Sequence, residues 1–430
     1  MDPALRVLRE RFGFPDFRKG QRTLVAAVLD GKDALGILPT GGGKSLCYQV
    51  PTFLLPGMTL VVSPLISLME DQAGRANVAG LLAQVLHSGL DPAMGRDVLR
   101  EAAQGSVKVL LVAPERFNSR SFLQVVRDLP VSLVVIDEAH CISSWGHDFR
   151  PAYRELGLIR PRLAAQVPIL ALTATATPRV RADVERVLGL RNPVRVVQSF
   201  DRPNLRWEVA RFASRRQKSH GLQRVVWKAR RGDGDPGAVL VYAATRKGVE
   251  GIRDGLARLG LPAMRYHAGL PQEERSRVQE LFLRSPGPVV VATNAFGMGI
   301  DRADVRLVVH ATLPRSLEDF YQEAGRAGRD GGAARSLVLD DPWDAALRRR
   351  FLESSVPPIP GGISGRLAFR TLKRHSLSRD RRCGEEERLR AAEGYLDTRG
   401  CRRRHLLTYF GEELSARSCG LCDRCSGASG

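Results

Sequence analysis

Three groups of residues in this 430-residue chain have the types and spacing of reaction or ligand chemistry. The run Leu38-Pro39-Thr40-Gly41-Gly42-Gly43-Lys44-Ser45 puts glycines where a backbone can curl until several N–H groups face one anion. Thr40, Gly41, Gly42 and Gly43 would cradle phosphates, Lys44 would neutralise the β- and γ-phosphates of ATP, and Ser45 would ligate Mg²⁺. The usual first glycine of such a loop is Leu38 here. Asp137-Glu138-Ala139-His140 follows the apolar run Leu133–Ile136; Asp137 would hold the Mg²⁺ shell and Glu138 would orient or deprotonate the attacking water. Cys401, Cys419, Cys422 and Cys425, spaced C-x17-C-x2-C-x2-C, offer four thiolates for a closed tetrahedral Zn²⁺ site of structural kind. His405 and Cys383 are the alternative ligands, expected to stand aside.

These groups need elements that bring them together. Short β-branched runs alternate with helix-like segments, the pattern of parallel α/β sheets. A first series of strands is expected at 34–38, 60–63, 109–112, 133–136 and 169–172, with helices at 44–54 and 178–188. A second is expected at 238–242, 263–266, 289–292, 306–310 and 335–339, with helices at 247–259, 273–283 and 317–327. The phosphate loop and the acidic pair then leave the carboxyl ends of two strands of one sheet, where open parallel sheets bind ligands. The fold class is α/β: two tandem RecA-like parallel-sheet domains, 1–203 and 204–341, and a small helical zinc-binding module, 342–430. A polar, basic stretch from Ala213 to Pro236 separates the two series, and Pro203 marks the hinge near Ser199–Asn204.

Net charge is +20, with 66 Lys and Arg against 46 Asp and Glu, which suits an anionic polymer. Arginine-rich composition also follows genome base content, so charge alone does not carry that reading. Apolar runs are of strand length, short of a membrane span, and the N-terminus lacks the layout of a signal peptide. A cytoplasmic, nucleoid-associated monomer without membrane association is the expectation.

Taken in order, the GGGKS loop, the DEAH tetrad, Thr173-Ala174-Thr175 and Gln322-Glu323-Ala324-Gly325-Arg326-Ala327-Gly328-Arg329 resemble a superfamily 2 helicase. Phe14-Pro15-Asp16-Phe17-Arg18-Lys19-Gly20-Gln21 resembles the adenine-recognition motif of RecQ helicases, and Trp145-Gly146-His147-Asp148-Phe149-Arg150-Pro151 their aromatic-rich loop. The resemblance implies that Phe14 and Arg18 sandwich the adenine while Gln21 bonds its edge, with Gln322 joining the nucleotide set. Phe17 reads as a core residue. Arg326 and Arg329 read as arginine fingers, which would tie hydrolysis to domain closure.

Trp145, His147, Phe149 and Arg150 interleave aromatic and basic groups as a track for single-stranded nucleic acid does, whereas Tyr153 reads equally as packing. Ser63 and Thr293, each at a strand end, are candidate phosphate contacts. The resemblance implies an ATP-dependent 3′-to-5′ DNA helicase of recombination and repair, acting on single-stranded and forked DNA. Family members commonly continue into a winged helix, and this sequence stops five residues after Cys425. A translocase that remodels nucleoprotein without strong unwinding is therefore the alternative. A catalytically silent DNA-binding scaffold is a third reading, opposed by Lys44, Asp137, Glu138, Arg326 and Arg329.

Overall fold

A computed structural model describes residues 2–39, 41–164, 166–231, 237–297, 302–355, 368–414 and 416–427, apart from the side chains at 120, 351–355 and 368–381. The chain forms two compact units, Met1–Ser199 and Phe200–Gly430.

The first unit is built on seven strands: β1 Ala34–Ile37, β2 Met58–Val62, β3 Ala83–Leu86, β4 Val109–Val112, β5 Val131–Ile136, β6 Ile169–Thr173 and β7 Val194–Val197. They lie in the order β3-β4-β2-β5-β6-β1-β7, and every pairing is parallel. Strands covered on both faces read as unbroken apolar runs, and β1, β2 and β4 are buried at every position. Alternate residues of these strands, such as Val61, Leu111, Val135 and Leu172, share one core cluster with Leu24, Tyr48 and Met69. A smaller cluster of Ala4, Leu8, Val25 and Val50 takes Phe17 against it, as expected of a core residue.

The second unit carries β8 Leu205–Arg211, β9 Ala238–Tyr242, β10 Met264–Tyr266, β11 Val289–Ala292, β12 Val305–His310 and β13 Ala334–Asp340, in the parallel order β10-β11-β9-β12-β13-β8. The basic stretch after Ala213 is no spacer. Residues Arg215–Arg231 form a helix whose Leu222 and Val226 are buried with Val239, Val241 and Val249 of this sheet.

The C-terminal residues belong to the same unit and join it through aromatic side chains. Phe200 stacks on Phe410 with ring centroids 4.4 Å apart, Tyr321 meets Phe410 at 5.1 Å, and Phe320 meets Trp207 and Tyr395 at 5.6 and 5.1 Å. Rings at these separations gain beyond the area they bury. Among the described residues no helix is long and apolar enough to cross a membrane.

Candidate functional site

The phosphate loop leaves the carboxyl end of β1. Leu38, in place of the usual glycine, directly follows β1 and carries its hydrogen bonding one residue further: its N–H donates to Thr173 O at 3.0 Å and its side chain is wholly buried in the core. The turn itself begins after Pro39. Gly43 has φ +71°, and a Cβ there would collide with the Gln21 amide, so only glycine fits. Gln21 is 1% exposed; its Oε1 accepts from Arg18 N–H at 2.8 Å, and its Nε2 donates to Gly42 O and Gly43 O at 3.0 and 3.1 Å. Gln21, which the resemblance places at the adenine edge, thus also braces the loop from beneath. Arg18 also reaches the loop, donating to Gly41 O, and Phe14 is exposed. Thr40 lies outside the described residues.

Asp137 and Glu138 leave β5, one strand removed from β1 across β6. Lys44 Nζ lies 4.0 Å from Glu138 Oε1, so the structure brings the loop lysine and the acidic pair together. Glu138 sits at φ 46°, ψ 47°, a left-handed backbone that costs a side-chain-bearing residue about 1–3 kcal/mol and marks functional positions. Asp137 Oδ2 accepts from Gln72 Nε2 at 2.9 Å and Oδ1 from Glu138 N–H at 3.0 Å. Burial, then the charge of Glu138, raises the Asp137 pKa. Burial would also raise Glu138, but Lys44 foremost, then His140 and Arg150, bring it down to about 2. Glu138 is therefore ionised, and its buried Oε2 faces His140 Nδ1 at 3.3 Å.

His140 completes the cluster. Its Nδ1 bonds Thr173 Oγ1 at 2.8 Å and stands 3.3 Å from Glu138 Oε2. Burial lowers its pKa, but Cys141 and then Glu138 outweigh this and hold it well above the ordinary value. His147 of the aromatic loop stacks on His140 at 4.3 Å, and Tyr153 donates from its hydroxyl to Asp137 O at 3.1 Å, wholly buried. The aromatic loop is thereby tied to the acidic pair at two points. Trp145 lies under the Arg179 guanidinium, 3.1 Å from the ring centroid, and Phe149 is half-buried. Arg150 is engaged inside the unit, bonding Asp148 Oδ2 at 3.0 Å and Pro64 O at 2.7 Å. Ser63 directly follows β2 and is wholly buried, its Oγ without a hydrogen-bond partner among the described residues.

In the second unit, Thr293 follows β11 and is half-buried, its Oγ1 accepting from Ala295 N–H at 3.4 Å. The helix Leu317–Ala324 ends before the arginine pair, and Gln322 is half-buried on its last turn. Arg202 fastens the turn after it, donating to Gly325 O at 3.0 Å and Ala327 O at 2.7 Å. Arg326 is 8% exposed and passes under Gly297, where a Cβ would come within 3.0 Å of its Nη2; Arg329 is half-buried.

The sulfurs of Cys401, Cys419, Cys422 and Cys425 lie within 4.8 Å of one another. A Zn²⁺ ion with sulfurs at about 2.3 Å needs them about 3.8 Å apart, so the cluster fits that ion. Backbone N–H groups of Arg404 and Cys422 point at the sulfurs of Cys401 and Cys419, at 3.5 and 3.3 Å. His405 and Cys383 are not in the group; the His405 ring packs 5.9 Å from Tyr395, and Cys383 is exposed. Asp423, between two of the cysteines, ties the cluster to β8. Its Oδ1 pairs with buried Arg402 at 2.6 Å, its N–H donates to Trp207 O at 3.1 Å, and its Oδ2 accepts from Val209 N–H at 3.2 Å.

No motif announced Gln72, Thr173 as partner of His140, Arg202 or Asp423; each is found only through the pairings of the folded chain.

The families DEAD/DEAH box helicase, helicase conserved C-terminal domain and RecQ zinc-binding match residues 18–184, 220–331 and 344–426. The chain is 40% identical over 423 residues to the ATP-dependent DNA helicase RecQ of Haemophilus influenzae, covering 98% of this chain and 63% of that protein. Against the RecQ of Bacillus subtilis it is 38% identical, covering 98% and 67%; against the probable ATP-dependent DNA helicase RecS of B. subtilis it is 42% identical, covering 82% and 70%. It thus spans somewhat under two thirds of the H. influenzae relative's length. Among solved structures, the DUF1998 helicase MrfA bound to DNA superposes with a TM-score of 0.65 at 19% identity, over 81% of this chain and 52% of that one. Mss116p bound to single-stranded RNA and AMP-PNP gives 0.64 at 16%, over 83% and 75%. These likenesses show the tandem RecA-like fold. Identity near 40%, held across almost the whole chain and over two thirds of a RecQ helicase's own length, makes the chain a member of the RecQ helicase family.

Proposed function

We propose that the chain is an ATP-dependent, 3′-to-5′ DNA helicase of recombination and repair that hydrolyses ATP to move along single-stranded DNA. The observation that carries the chemistry is the ionised, buried Glu138 carboxylate, held between Lys44 Nζ at 4.0 Å from Oε1 and His140 Nδ1 at 3.3 Å from Oε2. Such a carboxylate accepts a hydrogen bond from an attacking water and so orients it. Gly41, Gly42, Gly43 and Lys44 would bind the triphosphate, with Ser45 and Asp137 taking Mg²⁺ to neutralise developing charge. Phe14 and Arg18 would flank the base, and Arg326 and Arg329 would supply the cations that closure brings to the phosphates.

The DNA part rests on the relatives and on the aromatic loop. ATP turnover measured with and without single-stranded DNA tests it; a rate indifferent to DNA refutes it. Release of a strand from a forked duplex then separates unwinding from translocation alone.

The two ties between the aromatic loop and the acidic pair give a route from DNA to Glu138. Trp145→Ala with Phe149→Ala lowers the DNA-stimulated rate more than the basal rate. Each stacking platform lost weakens DNA binding about five- to hundredfold. Equal loss of both rates points to a packing role for the loop. Gln21→Ala removes the brace under Gly42 and Gly43, and raises the KM for ATP about tenfold through the loss of buried hydrogen bonds. An unchanged KM shows that the loop holds its shape without the brace.

A further inference from the structure

The helix Arg215–Arg231 has seven arginines and lysines in 17 residues and no carboxylate. Solubility does not require this, since glutamate would serve equally. Its apolar side is already used, with Leu222 and Val226 buried in the core of the second unit, and Lys218 is engaged by Asp341 and Asp344 at 2.8 and 2.6 Å. On the outside, Arg216, His220, Arg224, Trp227 and Arg231 follow at steps of four, four, three and four, and all are exposed. Residues so spaced stand in one line along a helix. Among the described residues Arg216, Arg224 and the neighbouring exposed Lys228 have no carboxylate partner.

Two exposed indoles accompany the cations. Trp227 is 42% exposed with the Arg231 guanidinium 5.6 Å from its ring, and Trp343 is 62% exposed with that of Arg215 at 5.5 Å. Exposed aromatic faces among unpaired cations are what a single strand uses, bases on the rings and phosphates on the cations. The line from Arg216 to Arg231 is about 22 Å long, enough to follow several successive phosphates of one strand. The helix flanks its sheet, so this surface is apart from the loops at the carboxyl ends of the strands, where Thr293 lies. A basic amphipathic helix otherwise suggests a membrane, but here the apolar side is built into the core and has nothing to insert.

We infer that the outer face of Arg215–Arg231 is a second binding surface for single-stranded DNA, holding the strand outside the translocation track. Its identity as DNA rests on the function proposed above. The test is binding of a fluorescein-labelled thirty-residue oligo(dT) by anisotropy over a range of salt. The triple variant R216Q/R224Q/K228Q lowers the salt slope by about 2, at about 0.7 per phosphate on single strands, and affinity near 0.1 M salt by about ten- to a hundredfold. W227A weakens binding about fivefold or more with its slope unchanged. R216K/R224K, which keeps the charges, binds as the unaltered chain does, and thermal unfolding confirms that each variant is folded. If the unaltered chain binds oligo(dT) and the triple variant matches it in affinity and slope, this inference falls while the DNA helicase reading stands. If the unaltered chain does not bind, both fall. If the triple variant loses adsorption to phosphatidylserine vesicles but not to oligo(dT), the face serves an anionic lipid surface and the inference is overturned.

Discussion

Replacing Glu138 with Gln leaves ATP bound and slows its hydrolysis by at least about a hundredfold, the usual scale of a lost general base. The amide is close in shape to the carboxylate, so the backbone at φ 46° and the packing around it persist, while the negative charge facing Lys44 and His140 is gone. Lys44→Ala behaves differently. It removes the cation 4.0 Å from Glu138 that would meet the phosphates, so binding and hydrolysis fall together. The contrast is the diagnostic result, read from nucleotide binding by fluorescence alongside single-turnover hydrolysis. A Glu138→Gln chain that turns over normally removes this carboxylate from the chemistry and leaves Asp137 as the candidate. The pH profile gives a second check. With its pKa held down to about 2, Glu138 stays ionised as pH falls from neutrality, so a loss of activity at or above the ordinary carboxylate range reports another group, Asp137 first, whose pKa burial raises.

The candidate site of the first unit was legible because its residues are adjacent in sequence. Lys44 and Ser45 close one loop, and Asp137 and Glu138 end one apolar strand. Burial on both faces makes the central strands unbroken apolar runs, so β4 and β9 were read to the residue. Edge strands are another matter. β3, β7 and β8 are partly exposed along their length, their apolar signal is diluted, and none was expected. The helix Arg215–Arg231 was hidden for a related reason: seven cations mask an inner stripe as short as Leu222 and Val226. Gln21 shows a different limit. Its amide suits an adenine edge in isolation, and only the folded loop reveals Gly42 O and Gly43 O as its partners. The burial of Ser63 was not legible either, because a strand-end hydroxyl looks the same in sequence whether the strand lies inside a sheet or at its rim.

Metal analysis returns one Zn²⁺ per chain, and Cys422→Ser removes it with a large loss of stability confined to the second unit. Structural zinc in small modules contributes about 10–16 kcal/mol of apparent binding free energy, most of it realised as folding. Here the four sulfurs hold the ends of a segment that is fastened along its length by Phe410 on Phe200, Arg403 with Asp201 and Tyr409 with Glu318. Arg402 and Asp423 pair in a buried position, and Asp423 bonds the backbone of Trp207 and Val209 on β8. When the cluster opens, Asp423 leaves β8, and Arg402 is left as a buried cation without its partner, which is costly. Edge strand β8 then loosens, and with it the aromatic contacts of Trp207, Phe320 and Tyr395. Limited proteolysis therefore cuts the variant first in the C-terminal region and then near β8. The first unit has its own sheet and core, so nucleotide binding at Lys44 survives in whatever protein is recovered. A chain that folds fully without metal, or that keeps its zinc when Cys419 and Cys422 are both replaced, shows that the four cysteines are not the ligands. Loss of nucleotide binding along with the zinc shows instead that the first unit does not stand by itself.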